Sequence, residues 1–341
     1  MRLLIVVPYQ DAATGNRVTA TRLKLGLTAR GHDVAVVATD GDVAALRAAT
    51  TASAPELVLL LHAWRSGAPW LATGCPQPFA VLLTGTDVHI GLHDAQQAPV
   101  ITAVLARAAA VLSQNRLTVA ALRRDQPALA GRLHYLPPGI TLGTTPYPWR
   151  ERRADAQTLV LLCPAGIRPV KGILELPALL EPLLAEGRRL HLAVCGPILD
   201  AGYGERVLAA LASRPWTTYL GIIPPEAMPA AMRQADIIVS NSASEGLPNA
   251  LVEAATLGRP IVARAIPGHA AVVTDGGNGL LYSDAAGLRR AICRLLDEPG
   301  LRAALSHPDP ERFSPEREAA VLEALCSELL AGAGTPGAHS C

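Results

Sequence analysis

Short apolar runs of strand length recur along the chain, separated by helix-like stretches. In the first half the runs are Leu3–Val7, Val34–Ala38, Leu57–Leu61, Ala80–Leu83 and Ala110–Leu112. In the second half they are Leu159–Leu162, Leu190–Val194, Tyr219–Leu220, Ile237–Val239 and Pro260–Ala263. Continuous apolar runs are typical of strands buried on both faces, and strands that alternate with helices form parallel sheets. The pattern therefore predicts an α/β protein.

The pattern is interrupted once in the middle of the chain, which predicts two domains. Residues 141–153 lack sustained periodicity and contain several glycine and proline breakers, so we interpret them as a linker. A length of 341 residues agrees with two domains of about 150 residues each. The predicted domains are residues 1–145 and 156–310. We expect a C-terminal helix over 311–330 that packs back on the N-terminal domain, and a disordered tail over 331–341.

Composition limits the function classes. Half of the residues are hydrophobic and 17% are charged, which excludes a disordered or collagen-like chain. Lysine and arginine total 30 against 29 aspartates and glutamates, so no global field attracts nucleic acid or an anionic membrane. A phosphate-bearing ligand would need a local site.

The cysteines and the N-terminus indicate a reducing compartment. The six cysteines show no C-x-x-C spacing, so neither a zinc site nor a disulfide framework is predicted. The first apolar run has five residues and ends at Pro8, which is too short for a signal peptide or a membrane span. We expect a cytoplasmic protein without a membrane span.

The loop after the first apolar run precedes the first predicted helix, Arg17–Arg30, which Gly31 ends. Ligands of open parallel sheets bind beyond the carboxyl ends of the strands, so Gly15 and Asn16 are candidate binding residues. This loop lacks the G-x-G-x-x-G fingerprint of dinucleotide-binding proteins. The absence argues against an NAD-linked oxidoreductase or epimerase.

Two cations follow the first strand of the second half. Arg168 and Lys171 lie three residues apart in the glycine-flanked segment 166–172, GIRPVKG. Arginine offers a fork of donors to phosphate oxygens and lysine a mobile point charge. A solvated basic loop is the alternative, but the position after a strand favours a diphosphate site.

The segment 239–254 leads from a strand into a polar turn and then into a helix predicted to begin at Pro248. At such a helix start, the amides of Gly246, Leu247 and Asn249 can hold a phosphate or a sugar hydroxyl. Glu245 and Glu253 lie eight residues apart around this start. A carboxylate accepts two hydrogen bonds, which suits vicinal hydroxyls of a ribose or sugar ring.

Together with 276–282, GGNGLLY, these segments resemble in order the retaining glycosyltransferases of the GT-B fold, family 4. Residues 168–171, 244–246 and 266–273 are most similar to those of the glycosyltransferase 1 domain-containing proteins. Residues 14–20 and 83–87 also resemble those of the bacterial selenosugar synthases. The resemblance implies two Rossmann-like domains whose parallel sheets face an interdomain cleft.

The resemblance also implies roles for individual residues. Arg168 and Lys171 match the diphosphate-binding pair, Glu253 the ribose-binding glutamate and Glu245 the donor-sugar glutamate. Gly246, Leu247 and Asn249 match the positions whose amides hold the donor. Of these residues, Glu245, Arg168 and Lys171 are the predicted catalytic groups.

The sequence departs from the family at two positions. Thr86-Asp87 stands where many relatives have a histidine before the aspartate, and Ala271 lies nearest the place of a usual glutamate. The acceptor side is therefore predicted from position alone. Its candidates are Gly15, Asn16, Arg17, Asp87, His62 and His89.

The implied activity is transfer of a sugar from a UDP-sugar, UDP-GlcNAc or UDP-Glc, to a small acceptor, with no cofactor and no metal. A selenosugar synthase that uses selenophosphate as acceptor is the alternative within the family. A nucleotide-sugar binder without turnover and an NAD-linked enzyme are the alternatives from other classes. The single D-x-D match, Asp40-Gly41-Asp42, is interpreted as a turn rather than a metal site.

Overall fold

The computed structural model describes residues 1–9, 15–149 and 158–333. The chain divides into two units. The first joins Met1–Gly139 to the segment from Phe313 onwards, and the second is Ile140–Arg312. The interpretation of a linker and of a disordered tail concerns, in part, residues 150–157 and 334–341, which lie outside the described residues.

The first unit contains a six-stranded parallel sheet in the order β2-β1-β3-β4-β5-β6. Its strands are β1 (Arg2–Pro8), β2 (Asp33–Thr39), β3 (Leu57–Leu61), β4 (Phe79–Leu83), β5 (Ala110–Ser113) and β6 (Leu133–Tyr135). Every residue of β3 and β4 is buried, because helices cover both faces of the sheet. The helices are α1 (Gly15–Ala29), α2 (Val43–Ser53), α3 (Gly67–Thr73), α4 (Thr86–His89), α5 (Ala98–Arg107) and α6 (Arg116–Asp125).

The second unit repeats this plan with the strand order β12-β11-β10-β7-β8-β9. Its strands are β7 (Leu159–Pro164), β8 (Leu190–Cys195), β9 (Thr217–Tyr219), β10 (Ile237–Ser240), β11 (Ile261–Arg264) and β12 (Gly279–Tyr282). Its helices are α7 (Leu176–Ala185), α8 (Ala201–Ala212), α9 (Met228–Gln234), α10 (Asn249–Thr256), α11 (Pro267–Ala270), α12 (Ala285–Asp297) and α13 (Pro299–Ala304). The neighbouring strands pair in parallel in both sheets.

The last helix, α14 (Pro315–Ala333), packs on α1 and belongs to the first unit. Glu318 of α14 forms a buried ion pair with Arg22 of α1. A Cβ added at Gly26 would lie 2.8 Å from the Cβ of Ala319, so the two helices approach closely at this glycine. The helix continues to Ala333, and its residues 331–333 are helical where the sequence predicts the start of a disordered tail.

The structure confirms the α/β fold and a strand at each of the ten apolar runs, with ends that differ by up to two residues. Two edge strands, β6 with three residues and β12 with four, are absent from the prediction. The first helix covers Gly15–Ala29 rather than Arg17–Arg30. Gly31 follows it with a φ of +85°, as expected for a glycine that ends a helix.

Candidate active site

Two loops lie side by side at the carboxyl edge of the second sheet. β7 and β10 are neighbouring parallel strands, so the loops that follow them leave the sheet at the same edge. The amide of Ala243 donates a 2.8 Å hydrogen bond to the carbonyl of Val170, which joins the two loops. The sequence predicts donor-binding residues in both of these loops, and the structure brings the loops together.

The side chain of Asn241 joins the same loops. Its Nδ2 donates to the carbonyl of Gly172 at 2.7 Å, and its Oδ1 accepts from the hydroxyl of Tyr282 at 2.7 Å. Gly172 has a φ of +60°, and a Cβ there would lie 2.6 Å from the carbonyl oxygen of Asn241. We call these three residues the Asn241 clamp. Asn241 is not among the predicted site residues, because an asparagine after a strand resembles an ordinary turn residue.

Lys171 and Glu245 form an ion pair across the two loops. Their side chains are 15% and 11% exposed, so the pair is largely shielded from water. Burial raises the pKa of the Glu245 carboxyl, but the Lys171 charge and hydrogen bonds from Lys171 and Ser242 outweigh it, and the pKa lies below its ordinary value. Glu245 is therefore ionised at neutral pH and compensates the charge of Lys171.

Two polar atoms beside this pair are buried and have no hydrogen-bond partner among the described residues. They are Nε of Arg168, three residues before Lys171, and Oγ of Ser244, directly before Glu245. A buried polar group without a partner costs about 1–3 kcal/mol. A ligand with oxygen acceptors would satisfy both groups. Ser244 is not among the predicted site residues, because the resemblance gives roles to Glu245 and Gly246 but none to this serine.

Helix α10 begins at Asn249, directly after the loop that contains Glu245. Pro248 has an extended backbone with a ψ of 107°, so it is the N-cap residue and not, as the sequence predicts, the first helical residue. Gly246 and Leu247 lie in the loop just before this cap. Glu253 lies half-buried in the second turn of the helix. The positive end of the helix dipole is thus placed next to Glu245 and its ion pair.

The loop after β11 packs against Glu245 from a third strand. A Cβ added at Gly268 would lie 2.4 Å from the carbonyl oxygen of Glu245, so glycine alone permits this contact. The buried ring of His269 has Nδ1 2.7 Å from the carbonyl of Arg264 and Nε2 3.1 Å from the hydroxyl of Ser240. Burial holds the pKa of His269 below its ordinary value, so the neutral ring donates from Nδ1 and accepts at Nε2.

In the first unit, Asp87 lies in the turn after β4 and is completely buried. Its carboxylate accepts hydrogen bonds of 2.9–3.3 Å from the amides of Ala63, Thr84, Gly85 and Val88. A carboxylate that is inaccessible and already binds four amides cannot contact an acceptor molecule. The prediction of Asp87 as an acceptor-side residue is therefore corrected: it stabilises the backbone of the loops after β3 and β4.

His62 lies in the loop after β3 with a φ of +83°, a conformation that few non-glycine residues adopt. Its Nδ1 accepts from the amides of Trp64 and Arg65, each at 3.1 Å. The proton of the neutral ring is therefore on Nε2, which lies 3.1 Å from the hydroxyl of Thr86. His62 is only 3% exposed, which argues against direct contact with an acceptor, whereas Thr86 is partly exposed.

The remaining acceptor-side candidates also lie at the carboxyl edge of the first sheet. Gly15, Asn16 and Arg17 form the first turn of α1, with Gly15 and Arg17 exposed and Asn16 partly buried. The five residues before them lie outside the described residues. His89 ends α4, and burial holds its pKa below the ordinary value. Its Nε2 is buried and has no hydrogen-bond partner within the described part of the chain.

Elsewhere in the described residues, no group of three or more histidine, cysteine, aspartate or glutamate side chains is placed to hold a metal ion. Asp42 caps α2 by accepting from the amides of Ala44 and Ala45, as an ordinary turn residue does. Burial raises the pKa of the Cys163 thiol to about 12, so Cys163 is not a thiolate nucleophile. None of the helices between residues 1 and 333, apart from the undescribed gaps, is long and apolar enough to cross a membrane.

Two helix-covered parallel sheets of six strands define the class as α/β with the GT-B fold. A sucrose-phosphate synthase from Thermosynechococcus elongatus has a TM-score of 0.81 and 20% identity, with 97% of this chain and 100% of that chain covered. HepE from Anabaena, in complex with UDP and glucose, has a TM-score of 0.76 and 16% identity, with 96% and 100% covered. At these identities the similarity shows the fold.

The match to a family model lies within the second unit. Residues 158–298 match the family described as glycosyl transferases group 1. The chain is 27% identical over 305 residues to glycosyltransferase 1 domain-containing protein 1 of Xenopus tropicalis, with 85% of this chain and 86% of that protein covered. D-inositol 3-phosphate glycosyltransferase of Salinispora arenicola is 31% identical over 164 residues, with 45% and 36% covered. The protein is a glycosyltransferase.

Proposed function

We propose that the protein is a retaining glycosyltransferase of family 4 that moves a sugar from a UDP-sugar to a small acceptor without a metal ion. The observation that carries the proposal is a pair of buried groups, Arg168 Nε and Ser244 Oγ, beside the Lys171–Glu245 ion pair, neither of which has a partner in the described part of the chain. The motif resemblance and the UDP bound to HepE support a uridine nucleotide. UDP-Glc and UDP-GlcNAc are the proposed donors.

In this proposal different residues of the second unit bind different parts of the donor. Arg168 and Lys171 bind the diphosphate, which is also attracted by the positive end of α10. Gly246, Leu247 and Asn249 surround it with backbone amides, of which those near the helix start point along the helix axis. Glu253 binds the ribose hydroxyls and Glu245 the hydroxyls of the donor sugar.

Catalysis then depends on charge compensation. As the sugar–phosphate bond breaks, negative charge develops on the departing diphosphate, and fixed donors and cations lower the barrier. The acceptor oxygen attacks the anomeric carbon from the same face, and its proton passes to the departing phosphate. This front-face scheme retains the anomeric configuration and requires no protein nucleophile, which agrees with the protonated state of Cys163.

We place acceptor binding on the first unit, at Gly15, Asn16, Arg17 and His89, with His62 acting through Thr86. The acceptor is a small molecule, and selenophosphate is the alternative that the resemblance to selenosugar synthases favours. We further propose that the protein acts in the cytoplasm.

A ligand screen tests the donor class. The melting temperature of the protein is measured with UDP, GDP, ADP and NAD at equal concentrations, and we expect stabilisation by UDP above the other three. The UDP-sugar that stabilises most is then incubated with selenophosphate, thiophosphate and simple sugars, and products are identified by mass spectrometry. Nuclear magnetic resonance of the product gives its anomeric configuration.

Each outcome separates two proposals. Stabilisation by NAD but not by any nucleoside diphosphate would overturn the glycosyl-donor site. Binding of UDP-sugar with neither transfer nor hydrolysis would identify a binding protein without turnover. An inverted product would contradict the front-face scheme, and loss of activity with chelators would contradict metal independence.

A further inference from the structure

We propose that Glu245 is an internal counter-ion for Lys171, so that the site discriminates against the nucleoside diphosphate product and in favour of the intact sugar donor. The inference rests on the proposed function, because it assigns the two loops to the same donor. The interaction concerned is the Lys171–Glu245 ion pair, which the donor must break and replace when it binds.

The first step is the charge of the unoccupied loops. Lys171 and Glu245 are in direct contact and both are largely buried, whereas Arg168 has no acceptor for its Nε among the described residues. The lysine is therefore compensated before any ligand arrives, whereas Nε of Arg168 still lacks an acceptor in the part of the chain that the structure describes. A diphosphate that binds Lys171 must displace the carboxylate of Glu245 from the lysine ammonium, and a charged hydrogen bond is lost when it does so.

The second step is that the backbone holds the pair together. Three hydrogen bonds join or brace the two loops: Ala243 to Val170 and the two bonds of the Asn241 clamp. Gly268 also packs directly against the backbone of Glu245. Because the loops are fixed in this way, Lys171 and Glu245 separate by rotation of their side chains and not by movement of the loops.

The third step is what can draw the carboxylate away. The hydroxyl groups of a nucleoside diphosphate lie on the ribose, which the proposed function assigns to Glu253, and its diphosphate end offers Glu245 no hydrogen-bond donor in place of the lysine ammonium. A sugar on the β-phosphate does, because its hydroxyl groups donate to a carboxylate. The intact donor therefore replaces both halves of the ion pair, phosphate on Lys171 and hydroxyls on Glu245, whereas the product replaces only one.

The test compares the affinities of UDP and UDP-Glc for the wild type and for Glu245→Gln by calorimetry. Glutamine has nearly the same shape without the charge. We expect UDP to bind the variant about tenfold more tightly, since one charged hydrogen bond no longer has to be replaced. UDP-Glc should gain less, because it also loses the charged partner of its sugar hydroxyls, so the preference for the intact donor should fall.

Two controls separate the ion pair from a general change in charge. Glu181→Gln removes one negative charge from α7, where the exposed Glu181 pairs with Arg214, and should leave UDP affinity unchanged. Lys171→Ala removes the partner, and in this background Glu245→Gln should change UDP affinity less than about twofold. If Glu245→Gln does not fold, Glu245→Ala removes the same charge and should change UDP affinity in the same direction.

Unchanged or weaker binding of UDP to the folded variant would overturn the inference, and so would an equal gain in the Lys171→Ala background. Failure of the proposed function gives a different result, because the wild-type protein would then bind neither UDP nor UDP-Glc. If UDP binds Glu245→Gln more tightly than the wild type, and this gain is absent in the Lys171→Ala background, the result supports both the inference and the proposed function.

Discussion

Polar residues lie at the carboxyl edges of both sheets, but the two edges differ in how far the hydrogen bonds of these residues are satisfied. In the first unit, Asp87 receives four backbone amides and His62 accepts two, so both of these side chains are saturated, although Nε2 of the nearby His89 has no partner among the described residues. In the second unit, Arg168 and Ser244 keep buried polar atoms without partners within the described residues. We call a polar cluster saturated when its groups have hydrogen-bond partners within the protein, and unsaturated when buried polar atoms lack them. The contrast teaches that a saturated cluster stabilises loops, whereas an unsaturated one is the better indication of a ligand site.

The largest effect is expected where the saturated cluster is broken. Asp87→Ala leaves four amides without their acceptor in a buried turn, and we expect a loss of about 3 kcal/mol or more in the stability of the first unit. Hydrogen exchange of the β4 amides measures this loss. Asp33→Asn, at an exposed position of the same unit, is the control, and equal losses in the two variants would contradict the structural role of Asp87.

The unsaturated cluster should respond in the opposite way. Arg168→Ala should lower kcat/KM of sugar transfer about a hundredfold, because a donor to the developing phosphate charge is lost. The melting temperature should hardly change, because the Arg168 Nε makes no hydrogen bond to the described residues. A variant that lost stability but retained its rate per folded molecule would show that Arg168 is structural.

The close contact at Gly268 should be sensitive to a single methyl group. Gly268→Ala places a Cβ against the backbone of Glu245, and we expect a stability loss of about 1–3 kcal/mol together with slower transfer. Gly202→Ala is the matched control, because a Cβ at this position in α8 meets nothing within 4 Å. Urea unfolding and initial rates give the two readouts. The contact would be unimportant if both alanine variants behaved alike.

The smallest effect concerns the pH dependence of stability. Burial holds the folded pKa of His269 below 6.5, so the unfolded chain takes up a proton first as the pH falls. Stability from this group is therefore complete above pH 6.5 and declines below it. His269→Asn should flatten the decline by up to about 1.4 kcal/mol per pH unit, which melting curves in a pH series can detect. The same change at exposed His307 should not.

The fold was largely predictable because buried parallel strands consist of uninterrupted apolar residues. Both faces of a run such as Leu57–Leu61 are covered, so all of its residues are apolar. Such a strand can be recognised from the sequence without knowing which elements surround it. The edge strand β6, Leu133–Tyr135, lacks this signature, since it has only three residues and one of them is a histidine. Gly31 also indicates where the first helix ends, and Pro248 indicates where α10 begins to within one residue.

The candidate site was predictable in its loops but not in its contacts. Arg168, Lys171 and Glu245 stand out because they follow strands whose carboxyl ends bind ligands in sheets of this type. Asn241 and His269 do not stand out, because their partners, Gly172 and Arg264, belong to other elements. The sequence places Asp87 wrongly on the acceptor side, because it does not show that the carboxylate is buried among backbone amides, one of which belongs to Ala63, 24 residues earlier.

The sequence by itself determined the succession of strands and helices and the loops in which chemistry is possible. These features are encoded locally, by apolar runs, prolines and glycines. The tertiary structure decided which acidic residue is saturated by amides and which is paired with a cation, Asp87 or Glu245. That decision depends on groups up to 74 residues apart, and the free energy of a buried charge is set by the neighbours that folding brings to it.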